Sequence, residues 1–296
     1  NQEKYVMNEQ KNLLLAIVAS LIILLIFQYL FPTDRNPSQE ATKIENVEKE
    51  KDEVKILPRE KILQNDERIY FSDSSRIKGS ISLKGARFDD IILKDYKENI
   101  NPESKQVTLL SPRNTLNPYF VEFGWGSKQI SKSNLPDENS VWELIEGKQL
   151  GPQSPITIKW LSPDGIEFLR KIEIDQDYLV SIEQRVTNTS SKDISIIQWG
   201  KIQRTGTPKT SGFYILHEGP IAVLKDRLIE IDYDELMEEE QPFIPSQGGW
   251  IGITDKYWLA ALIPDQTSRI KGRFKSIFKK NIERYQAEYE SSEIDL

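Results

Sequence analysis

Residues Ile156–Ile174 read ITIKWLSPDGIEFLRKIEI, two runs of alternating character around a polar centre. Ile156, Ile158 and Trp160 recur at every second position, the period of a strand with one buried face. Ser162-Pro163-Asp164-Gly165 is turn chemistry. Proline presets the backbone of the first central residue, and Gly165 accepts the exit geometry. On the return, Ile166, Phe168, Ile172 and Ile174 share a face, interrupted only by Arg170. The stretch is therefore expected to form a β-hairpin, and its period sets the reading of the rest.

The same period appears on both sides. Upstream, Ile81 and Leu83 alternate with Ser80, Ser82 and Lys84. Tyr119, Val121, Phe123 and Trp125 alternate with Phe120, Glu122 and Gly124. Downstream, Tyr178, Val180, Ile182 and Val186 repeat the pattern before a polar turn at Asn188–Asp193. Further strand-like runs follow at Ile194–Thr205, Phe213–Leu224 and Trp250–Ile263. About a dozen short strands separated by turn signals read as an all-β sandwich. No strand–helix alternation points to a parallel sheet. One segment fits two periods: Phe274, Ile277, Phe278, Ile282 and Tyr285 match a basic amphipathic helix, whereas Tyr285, Ala287 and Tyr289 alternate. Strands are expected there, in keeping with their neighbours.

The period breaks down before Asn65. Pro32–Gln64 holds seven Lys/Arg, eight Asp/Glu and three prolines in thirty-three residues. Such a segment buries too little apolar surface to offset its ordering entropy, so it reads as a charged flexible linker. Before it lies Leu13–Phe31, LLLAIVASLIILLIFQYLF, nineteen residues without a charge. As a helix it would reach about 29 Å, close to the hydrocarbon thickness of a bilayer. Its fourteen Leu, Ile, Val and Phe residues favour insertion by roughly 6 kcal/mol. A buried core helix would show a polar stripe. A cleavable signal peptide would have a shorter apolar run and a small-residue exit, whereas this one leaves through Phe27, Tyr29, Phe31 and Pro32. A transmembrane signal anchor is expected, with Leu13, Leu21, Leu25 and Phe31 in the bilayer. The short tail 1–12 is expected on the cytoplasmic side and the bulk of the chain across the membrane, since long domains translocate largely regardless of charge.

Composition narrows the function. The 296 residues carry 39 Lys/Arg against 46 Asp/Glu, a net charge of −7, and no cysteine. That balance argues against a nucleic-acid-binding face, and the missing cysteines exclude disulfides, thiolate nucleophiles and cysteine metal sites. The lone His217, in YILHEGP, would need partners brought to it in space for a metal site or a nucleophile–base pair, and beside Glu218 it reads as a strand or loop residue. The acidic run Asp232–Glu240 lacks the glycine and spacing of a calcium loop. Gly248-Gly249-Trp250 is not a phosphate-binding arrangement and reads as a turn before a core strand. Trp258, two residues past Lys256, is read as core rather than a binding platform. No catalytic, cofactor-binding or metal-ligating residue is assigned.

Three long stretches resemble a known family. ISLKGARFDDIILKDY (Ile81–Tyr96), VTLLSPRNTLNPYFVEFGW (Val107–Trp125) and GGWIGITDKYWLAALIP (Gly248–Pro264) are similar to the membrane-protein insertase YidC of Gram-negative bacteria. The opening MNEQKNLLLAIV resembles that family's first transmembrane helix, and the likeness runs through essentially the whole chain in order. The resemblance implies a cytoplasmic amino end and a periplasmic domain, 65–296, that is a β-supersandwich of mutarotase-like shape. It implies an inner-membrane insertase and chaperone that works without cofactor, alone or beside the Sec translocon and its accessory subunits, on nascent membrane proteins. The family's groove-forming membrane helices lie after this domain and have no counterpart here, so the chain is expected to be an amino-terminal part, its last strands incomplete. The shape likeness to mutarotases leaves a second reading, a membrane-anchored carbohydrate- or ligand-binding sandwich; likeness of fold alone does not convey activity. A plain envelope spacer is a third.

Overall fold

In the Ile156–Ile174 hairpin, β7 (Ile156–Leu161) and β8 (Glu167–Ile174) pair antiparallel, Ile156 opposite Ile172 and Trp160 opposite Phe168. The turn is closed by the Gly165 amide donating to the Ser162 carbonyl at 3.0 Å, with Gly165 at φ +86°. The Ser162 hydroxyl adds a second clasp, accepting the Ile166 amide at 2.8 Å. These are features of the computed structural model, which describes residues 56–189, 193–209, 216–239, 241–279 and 281–296. All of them fall within one unit, Glu53–Leu296. The expected anchor, with Leu13, Leu21, Leu25 and Phe31, lies outside the described residues.

The described chain is mainly β and its named strand pairings are all antiparallel. The large sheet is built on β1 (Arg68–Tyr70), β2 (Ile77–Ser82), β3 (Arg87–Lys97), β5 (Tyr119–Gly126), β10 (Ser195–Thr205), β17 (Ile282–Ser291), β16 (Arg269–Lys279) and β13 (Ile244–Gln247), in that spatial order. β4 (Gln106–Leu110) adds to β3 and β18 (Ile294–Asp295) to β10. Two four-stranded sheets accompany it. One runs β6 (Glu143–Glu146), β7, β8, β9 (Val180–Thr187); the other runs β12 (Arg227–Glu230), β11 (Gly219–Leu224), β14 (Trp250–Thr254), β15 (Leu259–Leu262). Among the described residues there are also two short α-helices, α1 (Arg59–Leu63) and α2 (Tyr233–Glu238), and a 3-10 turn at Lys132–Asn134.

Both small sheets pack on the large one. The Trp125 ring of β5 lies 4.9 Å from Phe168 of β8. For the other small sheet, the Tyr119 hydroxyl donates to the Ile253 carbonyl of β14 at 3.3 Å, and Tyr233 of α2 meets Tyr285 of β17 at 4.6 Å. At Gly272 of β16 an added Cβ would come within 2.7 Å of Leu224. A contiguous apolar core joins the layers, with Phe168, Ile172, Ile202 and Ile253 fully buried.

Three sequence expectations change in detail. The linker ends earlier than Gln64: Leu57 donates its amide to the Asn114 carbonyl at 2.8 Å, Ile62 is buried and Arg59 ion-pairs with Asp90. Local composition could not reveal those partners, which lie 31 and 57 residues away. β5 was expected to bury one face, yet Phe120 on its other face is wholly buried, covered by the guanidinium groups of Arg113 at 4.9 Å and Arg87 at 5.5 Å. Lys256 and Trp258 sit in the β14–β15 turn rather than in a strand. The 269–291 segment forms the long hairpin β16–β17, as its alternation indicated.

The outer face of the large sheet carries a row of alternating charge. Glu122, Lys201, Glu288 and Arg273 are directly opposed from strand to strand, the pairing that stabilises a sheet. Beside this row Trp199 lies across Gly124, where a Cβ would fall 2.3 Å from the indole.

Candidate interaction surface

An exposed patch gathers residues from all three sheets. Arg76, just before β2, donates from Nε to Asp95 Oδ2 at 2.6 Å, and its guanidinium lies 4.4 Å over the Tyr178 ring. The Tyr178 hydroxyl donates to the same Asp95 oxygen at 2.6 Å. Tyr96, next along β3, lies 6.3 Å from Tyr178 and 4.8 Å from Trp258, edge-on to the indole. Thus β3, the β8–β9 turn and the β14–β15 turn meet through aromatic rings.

Tyr178 reaches this position by an unusual backbone, φ +73°, a left-handed conformation that disfavours side chains with a Cβ. The turn holds it there: Asp175 Oδ1 accepts the amides of Asp177 at 2.7 Å and Leu179 at 2.9 Å, and the Asp175 amide donates to the Leu179 carbonyl at 3.0 Å. The electrostatics follow the contacts. The Tyr178 hydroxyl and then Arg76 hold the Asp95 carboxyl below its ordinary range. Desolvation and the Asp95 bond push the Tyr178 phenol up to about 12. Asp95 in turn raises Arg76. The cluster sets Arg76 between Asp95 and Asp177, whose Oδ1 is 3.4 Å from Nη1, beside three aromatic rings. Tyr96 remains 41% exposed, and Leu179 and Tyr257, the chain neighbours of Tyr178 and Trp258, are more exposed still. Arginine, tyrosine and tryptophan concentrate binding energy in protein interfaces, so the patch suits contact with another protein. It offers no nucleophile–base geometry.

A second polar centre is buried. Glu122 Oε1 accepts from Arg87 Nε at 2.9 Å and Arg113 Nη2 at 2.8 Å, while Oε2 meets Lys201 Nζ at 3.1 Å. Burial pushes the Glu122 carboxyl up, but Lys201, Arg113 and Arg87 together outweigh it and leave the group below its ordinary value. Arg113 also pairs with Glu138, at 2.5 Å. This junction ties β3, β5 and β10 to the loops on the outer face; it is scaffold.

The residues singled out in the sequence are placed as follows. His217 Nε2 is 2.9 Å from the Pro220 carbonyl and Nδ1 3.6 Å from Asp232, so the imidazole braces the turn into β11. In the acidic run, Tyr233 and Leu236 of α2 are buried and the neighbouring acids face outward. Gly248 and Gly249 have φ +61° and +94°, and a Cβ at Gly249 would fall 2.2 Å from the Val223 carbonyl, so they form the turn before β14. Trp258 is half-buried and belongs to the exposed patch as well as the core edge. Among the described residues no group of His, Asp and Glu is placed to hold a metal ion, and no helix is long and apolar enough to cross a membrane. Arg76, Asp95 and Tyr96 were not singled out in the sequence, and Tyr178 was read as an inward strand residue. The Asp175–Asp177 acidic turn was the one local sign that the backbone changes course there.

The profile of the family described as the YidC periplasmic domain matches residues 72–296, most of the chain. The chain belongs to the YidC family. That family is one of insertases, not of enzymes. Similar relatives are membrane protein insertases YidC from Rickettsia canadensis (strain McKiel), 37% identical over 291 residues, and Rickettsia akari (strain Hartford), 39% identical over 287. They cover 95% and 94% of this chain, and it covers 51% of each. The protein of the same name from Nitrobacter hamburgensis is 35% identical over 308 residues, covering 96% of this chain and 49% of its own length. The chain thus spans about half the length of the curated relatives it matches.

Proposed function

We propose that this chain is the amino-terminal, anchor-bearing part of an inner-membrane protein insertase and chaperone, with residues 65–296 as its periplasmic β-supersandwich. The observation that carries the reading is the family match over residues 72–296, continuous with relatives aligned along about 95% of the chain. Leu13–Phe31 spans the bilayer, residues 1–12 face the cytoplasm, and the charged linker lets the β domain move beside its partners. Those partners are nascent membrane proteins and the Sec translocon with its accessory subunits. The domain performs no covalent chemistry and needs no cofactor; its part is contact.

The Arg76–Asp95–Tyr96–Tyr178–Trp258 patch is the contact surface we favour. A photo-crosslinker at Tyr96 or Trp258 of the membrane-bound chain should capture a Sec subunit or a nascent membrane protein. The same group at Lys171, an exposed position on β8, should not. Equal capture from both sites would remove the patch from this role. Alkaline carbonate washing tests the anchor, and protease added to spheroplasts tests the topology. Release of the intact chain would refute the first, and a protected β domain the second. A rise in melting temperature with simple sugars would favour the carbohydrate-binding reading instead.

A further inference from the structure

The outermost strands of the three sheets differ in length. β1, β6, β12, β13 and β15 each have three or four residues. β13 also carries Pro245, and β6 has a break in register. Short, irregular or proline-bearing edges are how native proteins avoid edge-to-edge pairing. β9 departs from this. It is eight residues long, unbroken in register with β8, and among the described residues pairs with β8 alone.

Its sequence, VSIEQRVT, is nearly self-complementary. Placed antiparallel to a copy of itself about a two-fold axis at Gln184, it sets Glu183 opposite Arg185, Ile182 opposite Val186 and Ser181 opposite Thr187. Each pair occurs twice. Glu183 and Arg185 are exposed on one face and joined by a 3.0 Å ion pair within the strand, while Ile182 and Val186 lie half-buried on the other. Opposite charges and apolar pairs directly across a strand pair are favourable, and a two-fold axis requires such a self-matching surface.

We propose that β9 is a homodimerisation edge: two copies of this chain join β9 to β9 antiparallel, centred on Gln184, to make one continuous eight-stranded sheet. The occupant is a second copy because this register sets an opposite charge across the seam from each charge of the strand, beyond the ion pair they make within it, without another sequence. Confinement to one membrane would raise the effective concentration of an edge contact that is weak in dilute solution.

The chain has no cysteine, which gives a test without background. Residues directly opposed across an antiparallel pair have Cα atoms about 4.5–5.5 Å apart, within the disulfide range. Diagonal neighbours are about 7–8 Å apart, beyond it. Full-length chains carrying Glu183→Cys and Arg185→Cys, distinguished by tags, would be co-expressed and mildly oxidised in intact membranes. The expected result is a mixed disulfide dimer several-fold more abundant than the dimer either variant forms alone. Both positions are exposed, and an unchanged melting curve would verify folding. Glu183→Arg should abolish association, and mixing it with Arg185→Glu should restore it as the heterodimer. Mixed yield no higher than the single-variant yields, or no response to charge reversal, would overturn the proposal. Capture of another protein at β9 in place of a second copy would also overturn it.

Discussion

Arg76 and Arg170 both lie against aromatic rings, and they do opposite things. Arg76 is 40% exposed and shares its partner Asp95 with the Tyr178 hydroxyl. Arg170 is 1% exposed, and among the described residues its hydrogen bonds go to carbonyl and amide oxygens rather than to a carboxylate. Its Nη2 donates to the Phe123 carbonyl at 3.1 Å, Nη1 to the Ala86 carbonyl at 3.4 Å and Nε to Gln184 Oε1 at 3.2 Å. The rings of Trp142 and Trp125 lie 4.7 and 5.2 Å from its guanidinium. Burial lowers Arg170 to about 9, which leaves it charged at neutral pH. The interior site replaces water with carbonyl dipoles and ring faces, so its residues depend on one another. The surface site keeps its water, so its parts can be exchanged at small cost to the fold. Chemistry shared by two sites does not give them a shared role; burial decides it.

Substitutions can break this contrast in order of expected size. Arg170→Ala should have the largest effect, a loss of about 3–5 kcal/mol in unfolding free energy, because it opens a cavity and strips donors from three acceptors, the Ala86 carbonyl buried and the other two part-buried. Arg170→Lys should also destabilise, since an ammonium cannot reproduce the planar fork. A denaturant midpoint within error of the parent for either would mean the interior site is not coupled as described. Glu122→Gln should cost about 3 kcal/mol, since it leaves three cations around a neutral group.

Acid titration sharpens the contrast further. The folded Glu122 carboxyl sits below its unfolded value. Its contribution is therefore fully present above the unfolded value of about 4.3 and is lost as pH falls through the lower folded one. The parent chain should lose stability through that window, and Glu122→Gln should flatten this part of the profile. An unchanged acid limb would remove Glu122 from the account. At the surface, Tyr178→Phe should shift stability by less than about 1 kcal/mol. Its effect should appear instead as weaker crosslinking from Tyr96, the reverse of the pattern expected at Arg170.

Much of the fold was legible because a strand declares itself through period two. Ile156–Ile174 gave the hairpin, its turn and three of the four buried positions on β8, and 269–291 resolved to strands by the same alternation. Arg170 read as an interruption because a single sequence does not display the carbonyls of Ala86 and Phe123, far away in the chain, that accept its protons. The end of the linker was misplaced for the same reason: Arg59 is charged and locally unremarkable until Asp90 arrives beside it. The candidate surface was the least legible part. Tyr178 falls in phase with Val180 and Ile182, so alternation assigned it to the interior, whereas its left-handed backbone turns the ring toward Asp95.

Where Trp199 lies over Gly124, the two positions form a single unit of shape spread over neighbouring strands. A side chain introduced at 124 would have to evict the indole, and a smaller residue at 199 would leave an uncovered notch across the β5–β10 seam. Relatives in which one position differs should therefore differ at the other, a covariation that stems from volume rather than charge.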